Sequence, residues 1–190
     1  MISTSFTDEE LAKKSIENID FFAELFTRYE KKLFFYIRRI SYFSEEEAEE
    51  ILQDSFIKAW KNLKGFDKDL SFSTWIYRIV HNTTISEWKK TQSKNRDSYV
   101  KIEESEYVNI PSNINIIKEL EIKCTKQEVQ KLLYQLSPQY KEVLILKFIE
   151  EKSYEEISDI LQKPSGTIAT LISRAKKQFK QISEKQNISF

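Results

Sequence analysis

This sequence predicts an all-α protein of two small helical domains joined by a flexible linker, on three observations. Apolar residues recur at spacings of three and four almost throughout, while alternating strand patterns are scarce. The 190-residue chain has 2 glycines and 3 prolines, too little turn chemistry for a sheet protein. From Thr91 to about Ile117 Ser, Asn, Lys and Glu dominate and Pro111 interrupts; this stretch is long for a loop inside one domain and reads as a linker. The expected division is an N-terminal segment with a short helix (1–20), a first domain (21–90), the linker (91–118), a second domain (119–185) and a tail (186–190).

Taken in order, Thr7 with Asp8, Glu9 and Glu10 predicts a capped first helix with a negative first turn. Asp20 can cap the second, whose apolar stripe runs from Phe21 through Leu25, Tyr29, Leu33 and Ile37 to about Tyr42. Ser44 before Glu45, Glu46 and Glu47 starts a third, with Ala48, Ile51, Leu52, Phe56, Ile57 and Trp60 expected inside and Gly65 marking its end. Ser71 or Ser73 can cap a fourth, with Phe72, Trp75, Ile76, Ile79 and Trp88 as core, closing near Lys90. Helix returns from about Glu119 to Gln135. Ser137-Pro138 is a cap and first-turn proline for a helix through Ile149.

The next stretch carries the sharpest signal. Ser153 followed by Glu156 is a capping box; Pro164, Ser165 and Gly166 break the pattern and restart it. In the helix that follows, Ile168, Ile172, Ala175, Phe179 and Ile182 make one apolar face. The other carries Thr167, Thr170, Ser173, Arg174, Lys176, Lys177 and Lys180, and no acid occurs from Ile160 to Ser183. Two helices with a sharp turn and a one-sided cationic, hydroxyl-rich face suit the DNA major groove. A helical hairpin with a solvated basic face is the plainer alternative.

A formal net charge of +0 hides segregation: Arg28 to Arg39 is basic, Glu45 to Asp54 acidic, Lys89 to Arg96 basic. Blocks of opposite sign suggest different partners on different faces, although solvated helix faces explain any single block. Cys124 is the only cysteine, so no internal disulfide is possible, which fits a reduced, cytoplasmic setting. The N-terminus lacks the blocks of a signal peptide, and the longest apolar run, Val143 to Leu146, is far too short to span a bilayer, so no membrane insertion is expected. One His and one Cys supply neither a metal cluster nor a catalytic triad, and two separated glycines build no phosphate loop. No catalytic residue, metal or cofactor is assigned, and the chain is read as no enzyme.

With these pieces in order, the chain resembles a bacterial sigma factor of the extracytoplasmic-function group, from about Thr7 to Lys90 and from about Lys123 to Ile182. Asp54-Ser55-Phe56-Ile57-Lys58-Ala59-Trp60, preceded by Glu49-Glu50-Ile51-Leu52-Gln53, looks like the family's core-polymerase-binding segment. Phe72-Ser73-Thr74-Trp75-Ile76-Tyr77-Arg78-Ile79 with Asn82 looks like the promoter-melting helix. Leu136-Ser137-Pro138, Ser153 to Ile157, Gly166-Thr167-Ile168 and Arg174-Ala175-Lys176 look like the −35-binding region. The resemblance implies binding to core RNA polymerase and promoter DNA, promotion of melting, and an anti-sigma factor as a further partner.

It also implies site residues. Glu49, Glu50, Gln53, Asp54 and Phe56 form the polymerase-binding set; the first four can present carboxylates and an amide to arginines of a partner helix. A solubilising acidic face is the competing explanation. Phe66, Asp67, Arg78 and Asn82 form the −10 set: Phe66 and Asn82 match positions that line a pocket for an unstacked base, and Arg78 suits phosphate. Phe72 and Trp75 are read as core, and His81 is given no catalytic weight. Thr167, Thr170, Ser173, Arg174, Lys176 and Lys177 form the −35 set. Basic residues that the family carries early in this helix are replaced by Ala169 and Leu171, and Leu171 either touches a thymine methyl or packs. A helix-turn-helix repressor that binds duplex DNA alone is the main rival; it leaves residues 20–90 unexplained. A second rival is an interaction protein that never touches DNA.

Overall fold

The computed structural model describes residues 6–66, 70–94 and 126–186. Eight α-helices lie among them: α1 (Asp8–Ser15), α2 (Ile19–Ile40), α3 (Glu45–Asn62), α4 (Phe72–Lys94), α5 (Lys126–Tyr134), α6 (Pro138–Leu144), α7 (Tyr154–Leu161) and α8 (Ser165–Lys185). No strand occurs among the described residues. The chain divides into two compact units: the first carries α1–α4, the second α5, α6, most of α7, and α8. Asp67, nearly all of the expected linker, the start of the expected helix at Glu119 and the tail beyond Gln186 lie outside the described residues.

Capping sets the boundaries of the first unit. Thr7 and Ser44 each accept the N–H three residues on, from Glu10 and Glu47 at 3.2 Å, and those glutamates accept the cap residues' own N–H groups. Asn18, rather than the expected Asp20, caps α2: its Oδ1 accepts the Asp20 N–H at 2.9 Å. Helix α3 ends at Asn62 and tightens into a 3-10 turn over Leu63–Gly65. Ser71 caps α4, accepting the Thr74 N–H at 3.1 Å, and the helix runs on to Lys94, past the expected Lys90.

Aromatic packing closes this unit. Phe56 of α3 meets Phe22 and Phe26 of α2 at centroid distances of 6.1 and 4.6 Å, and Tyr29 meets Phe72 of α4 at 5.5 Å. Tyr36 and His81 share a buried hydrogen bond of 3.0 Å, which gives the lone histidine a structural place between α2 and α4. Ala48, Ile51, Leu52 and Phe56 are buried as expected. Ile57 and Trp60 are not: they are 50% and 36% exposed. Ile79 and Trp88 are half-buried.

In the second unit Pro138 opens α6, but the Ser137 side chain makes no cap bond; its carbonyl accepts the Tyr140 and Lys141 N–H groups instead, both at 3.0 Å. Past Leu144 the helix loosens into a π-helical turn, Ile145–Ile149, where the Glu150 N–H reaches back to Ile145 O at 3.0 Å. Glu151 then takes a left-handed backbone (φ 54°), and so does Gln162 (φ 51°) after α7. Between them the Ser153–Glu156 capping box forms as the sequence predicts. Helix α8 restarts at Ser165 and buries Ile168, Ile172 and Ala175; Phe179 and Ile182 are half-buried at the margin.

Candidate functional site

The acidic face of α3 is built by what its opposite side buries. Ala48, Ile51, Leu52, Ser55, Phe56 and Ala59 form a continuous inward stripe. At about 100° per residue the exposed arc then collects Glu46, Glu49, Gln53, Ile57, Glu50 and Asp54, with Trp60 at its edge. Four of the five residues expected in the polymerase-binding set are therefore exposed together. The fifth, Phe56, is 4% exposed and serves the core. Sequence reasoning missed Ile57, which lies inside the acidic arc, and Trp60, whose ring leans on Phe22 at 5.1 Å while staying partly open. The acids thus lie on the N-terminal side of Ile57 and exposed Lys61 one turn beyond it, and an acidic arc ending in an apolar patch suits an amphipathic basic helix.

On α4, Arg78, Asn82, Ser86 and Lys89 follow one another along a single outward stripe, half-buried in the first case and exposed in the rest. Trp75 begins that stripe, buried beneath Phe66, whose ring lies 5.2 Å away. Phe66 also meets Phe72 at 5.9 Å. Phe66 thus sits at the level of Trp75, and Asn82 lies two turns on, about 10 Å along the axis. Arg78 and Asn82 come together on one face; Phe66 stands at its upper end, and Asp67 is outside the described residues. Ser86 and Lys89 were legible as continuing the stripe by three and four.

The start of α4 is held from a distance. Glu9 of α1 accepts the Phe72 N–H at 3.0 Å. Its neighbour Asp8 accepts from Arg28 at 2.8 Å and from the Tyr29 hydroxyl. The Asp8 carboxylate raises the pKa of the Arg28 guanidinium. Burial, helped by Asp8, drives the Tyr29 phenol well above the usual phenolic range, so it stays a neutral donor.

On α8, Thr167, Thr170, Ser173, Arg174 and Lys177 are exposed and share an arc of about 120°. The Thr170 hydroxyl donates to Gly166 O at 2.9 Å, leaving its lone pairs outward. Lys176 falls outside the arc: its ammonium lies 4.8 Å from the Phe148 ring centroid, on the π-turn side. Ala169 is exposed and Leu171 half-buried. No group of acidic, His and Cys side chains able to hold a metal ion occurs among the described residues.

These features define a helix-turn-helix DNA-binding protein with a second helical module. Residues 25–94 match Sigma-70 region 2, and residues 126–179 match Sigma-70, region 4. The chain is 33% identical over 183 residues to the ECF RNA polymerase sigma factor SigW of Bacillus subtilis, covering 88% of this chain and 94% of that protein. It is 31% identical over 156 residues to the RNA polymerase sigma-H factor of Pseudomonas aeruginosa, covering 80% of each. The chain belongs to the sigma-70 family, in its extracytoplasmic-function group. Its fold is shared with the sigma factor RpoE of Bartonella quintana, solved with the anti-sigma factor NepR (TM-score 0.70, 24% identity, 86% of this chain and 96% of that one). It is shared also with CnrH, solved with the cytosolic domain of CnrY (TM-score 0.68, 22% identity, 94% and 97%).

Proposed function

We propose that this sigma factor docks core RNA polymerase on the exposed face of α3, reads the −10 element with Phe66, Asp67 and the Arg78–Asn82 stripe of α4, and reads the −35 element with the outward arc of α8. It promotes melting by holding an unstacked base and carries out no catalytic step. The observation that carries this reading is the α3 face, where exposed Glu49, Glu50, Gln53 and Asp54 lead along one arc to the exposed Ile57 and Trp60. A repressor acting on duplex DNA alone has no use for such a surface. The complex of the sigma factor RpoE with the anti-sigma factor NepR supports an anti-sigma factor as a further partner. No helix among the described residues is long and apolar enough to cross a membrane, and we place the protein with the polymerase in the cytoplasm. The expected division at 21–90 and 119–185 is retained as the working extent of the two domains.

The test is titration with purified core polymerase, followed by run-off transcription and promoter binding. Gln53→Ala with Asp54→Ala should weaken core association by about 1.5–3 kcal/mol and leave −35 duplex affinity intact. Asn82→Ala should reduce open complexes, scored by permanganate reactivity, more than closed ones. Arg174→Ala should weaken −35 binding by about 1–3 kcal/mol, whereas Lys176→Ala, off the arc, should cost under about 1 kcal/mol. Unchanged core affinity in the double variant would overturn the docking assignment, and equal losses from Arg174 and Lys176 would overturn the arc.

A further inference from the structure

We propose that α1 is a positioning element for promoter opening, with Glu9 and Asp8 fixing the end of α4 from outside the face that meets DNA; this rests on the −10 reading above. The first N–H groups of any helix lack intrahelical partners. At α4 one of them is taken locally, by the Ser71 hydroxyl at 3.1 Å from the Thr74 nitrogen. A local cap travels with its helix and fixes no direction. The Phe72 N–H is taken by Glu9 at 3.0 Å, a carboxylate 63 residues away on another helix. That bond ties the helix end to α1, and a negative charge there also suits the helix dipole.

A second line of contacts runs in parallel. Asp8 holds the Tyr29 hydroxyl and Arg28, the Tyr29 ring lies 5.5 Å from Phe72, and Phe72 lies 5.9 Å from Phe66. Both the backbone at Phe72 and the ring of Phe66 are therefore referred to the same pair of acids. Glu9 is itself exposed, so shortening it opens no cavity. What its loss removes is orientation at one point. Glu9 touches no DNA in this arrangement; it acts through Phe72.

The experiment uses the full chain in holoenzyme with a duplex promoter and with a single-stranded −10 oligonucleotide. Glu9→Ala should lower oligonucleotide affinity and open-complex yield about three- to tenfold, a range set by one charge-assisted cap. Core affinity and −35 duplex binding should stay near wild type, and the thermal midpoint should fall by no more than the several degrees that one lost cap accounts for. Glu9→Gln keeps an acceptor of the same length and should recover most of the loss. Asn82→Ala serves as the control for the underlying reading. If Asn82→Ala impairs melting and Glu9→Ala does not, the positioning role is overturned and the −10 reading stands. If Asn82→Ala is without effect, the −10 reading itself fails. If Glu9→Ala lowers core affinity, melting and thermal midpoint together, Glu9 is a fold-stabilising residue and the proposal is overturned.

Discussion

The two units reach the same secondary structure with different interiors. Among the described residues the buried aromatic rings all belong to the first, including Phe22, Tyr29, Tyr36, Phe56, Phe72, Trp75 and Tyr77. The second is filled by Leu, Ile, Val and Ala, and it buries Lys141, Glu142 and Lys152 among them. Rings interlock in few orientations, so an aromatic core fixes direction at one end of α4. Aliphatic side chains give a slimmer stripe, enough to present a straight helix to a groove, and the charges among them tie this unit to pH. The module proposed to open DNA is thus held by shape, and the module proposed to read the duplex is held by volume with an electrostatic cost.

The largest effect should come from breaking the aromatic side. Phe72 is fully buried and touches Tyr29, Phe66 and Trp75, so Phe72→Ala should cost about 3–5 kcal/mol. Residue-resolved hydrogen exchange should locate the loss in α2 and α4. A cost below about 1 kcal/mol would mean that the ring cluster does not hold this unit.

A smaller effect should come from relieving the charged side. Burial lowers the Lys141 pKa to about 8 from its ordinary 10.5, with its ammonium 5.0 Å from the Tyr134 ring and Glu142 beside it. Between those pH values the unfolded chain keeps a proton that the folded one has released. This group therefore makes stability rise with pH from about 8 to about 10.5, and its full cost is present below 8. Lys141→Met removes this titrating group and should flatten that rise, as read from urea unfolding at several pH values. Parallel wild-type and variant profiles would remove Lys141 from the account.

The smallest concerns the joints of α7. Glu151 and Gln162 hold left-handed backbone that favours glycine, and both side chains are exposed. Glu151→Gly and Gln162→Gly should each add up to about 1 kcal/mol, the relief of left-handed strain less the freedom glycine gives the unfolded chain. Destabilisation in thermal melts would show that their side chains matter more than their φ.

Much of the fold was legible in the sequence because helices announce themselves by period and cap. Thr7, Ser44, Ser71 and Ser153 all cap where expected. The exposed basic, hydroxyl-rich arc of α8 was legible for the same reason, Lys176 excepted, since one-sided charge survives projection onto a helix. Adjacent apolar residues were harder to place: Phe56 and Ile57 are neighbours about 100° apart, and both were expected inside. The inward stripe at 48, 51, 52, 55, 56 and 59 contained the answer, because it leaves Ile57 outside. Asn18 outcompeted Asp20 as a cap by position. The π turn and the Lys176–Phe148 contact arise from tertiary packing and leave no mark on spacing. The Glu9–Phe72 bond was invisible for a plainer reason: no local pattern links residues 63 apart.

That separation also sets a clock. Glu9 is synthesised well before the amide it will hold, and at about 5–20 residues per second Phe72 follows on the order of 3–13 s later. An isolated helix of 8 residues is too short to persist in water meanwhile. Helix α1 can settle against α2 as soon as that helix is made, but Glu9 gains the Phe72 amide only later. The first unit therefore cannot complete its contacts before Phe72 is made, however early α1 and α2 meet.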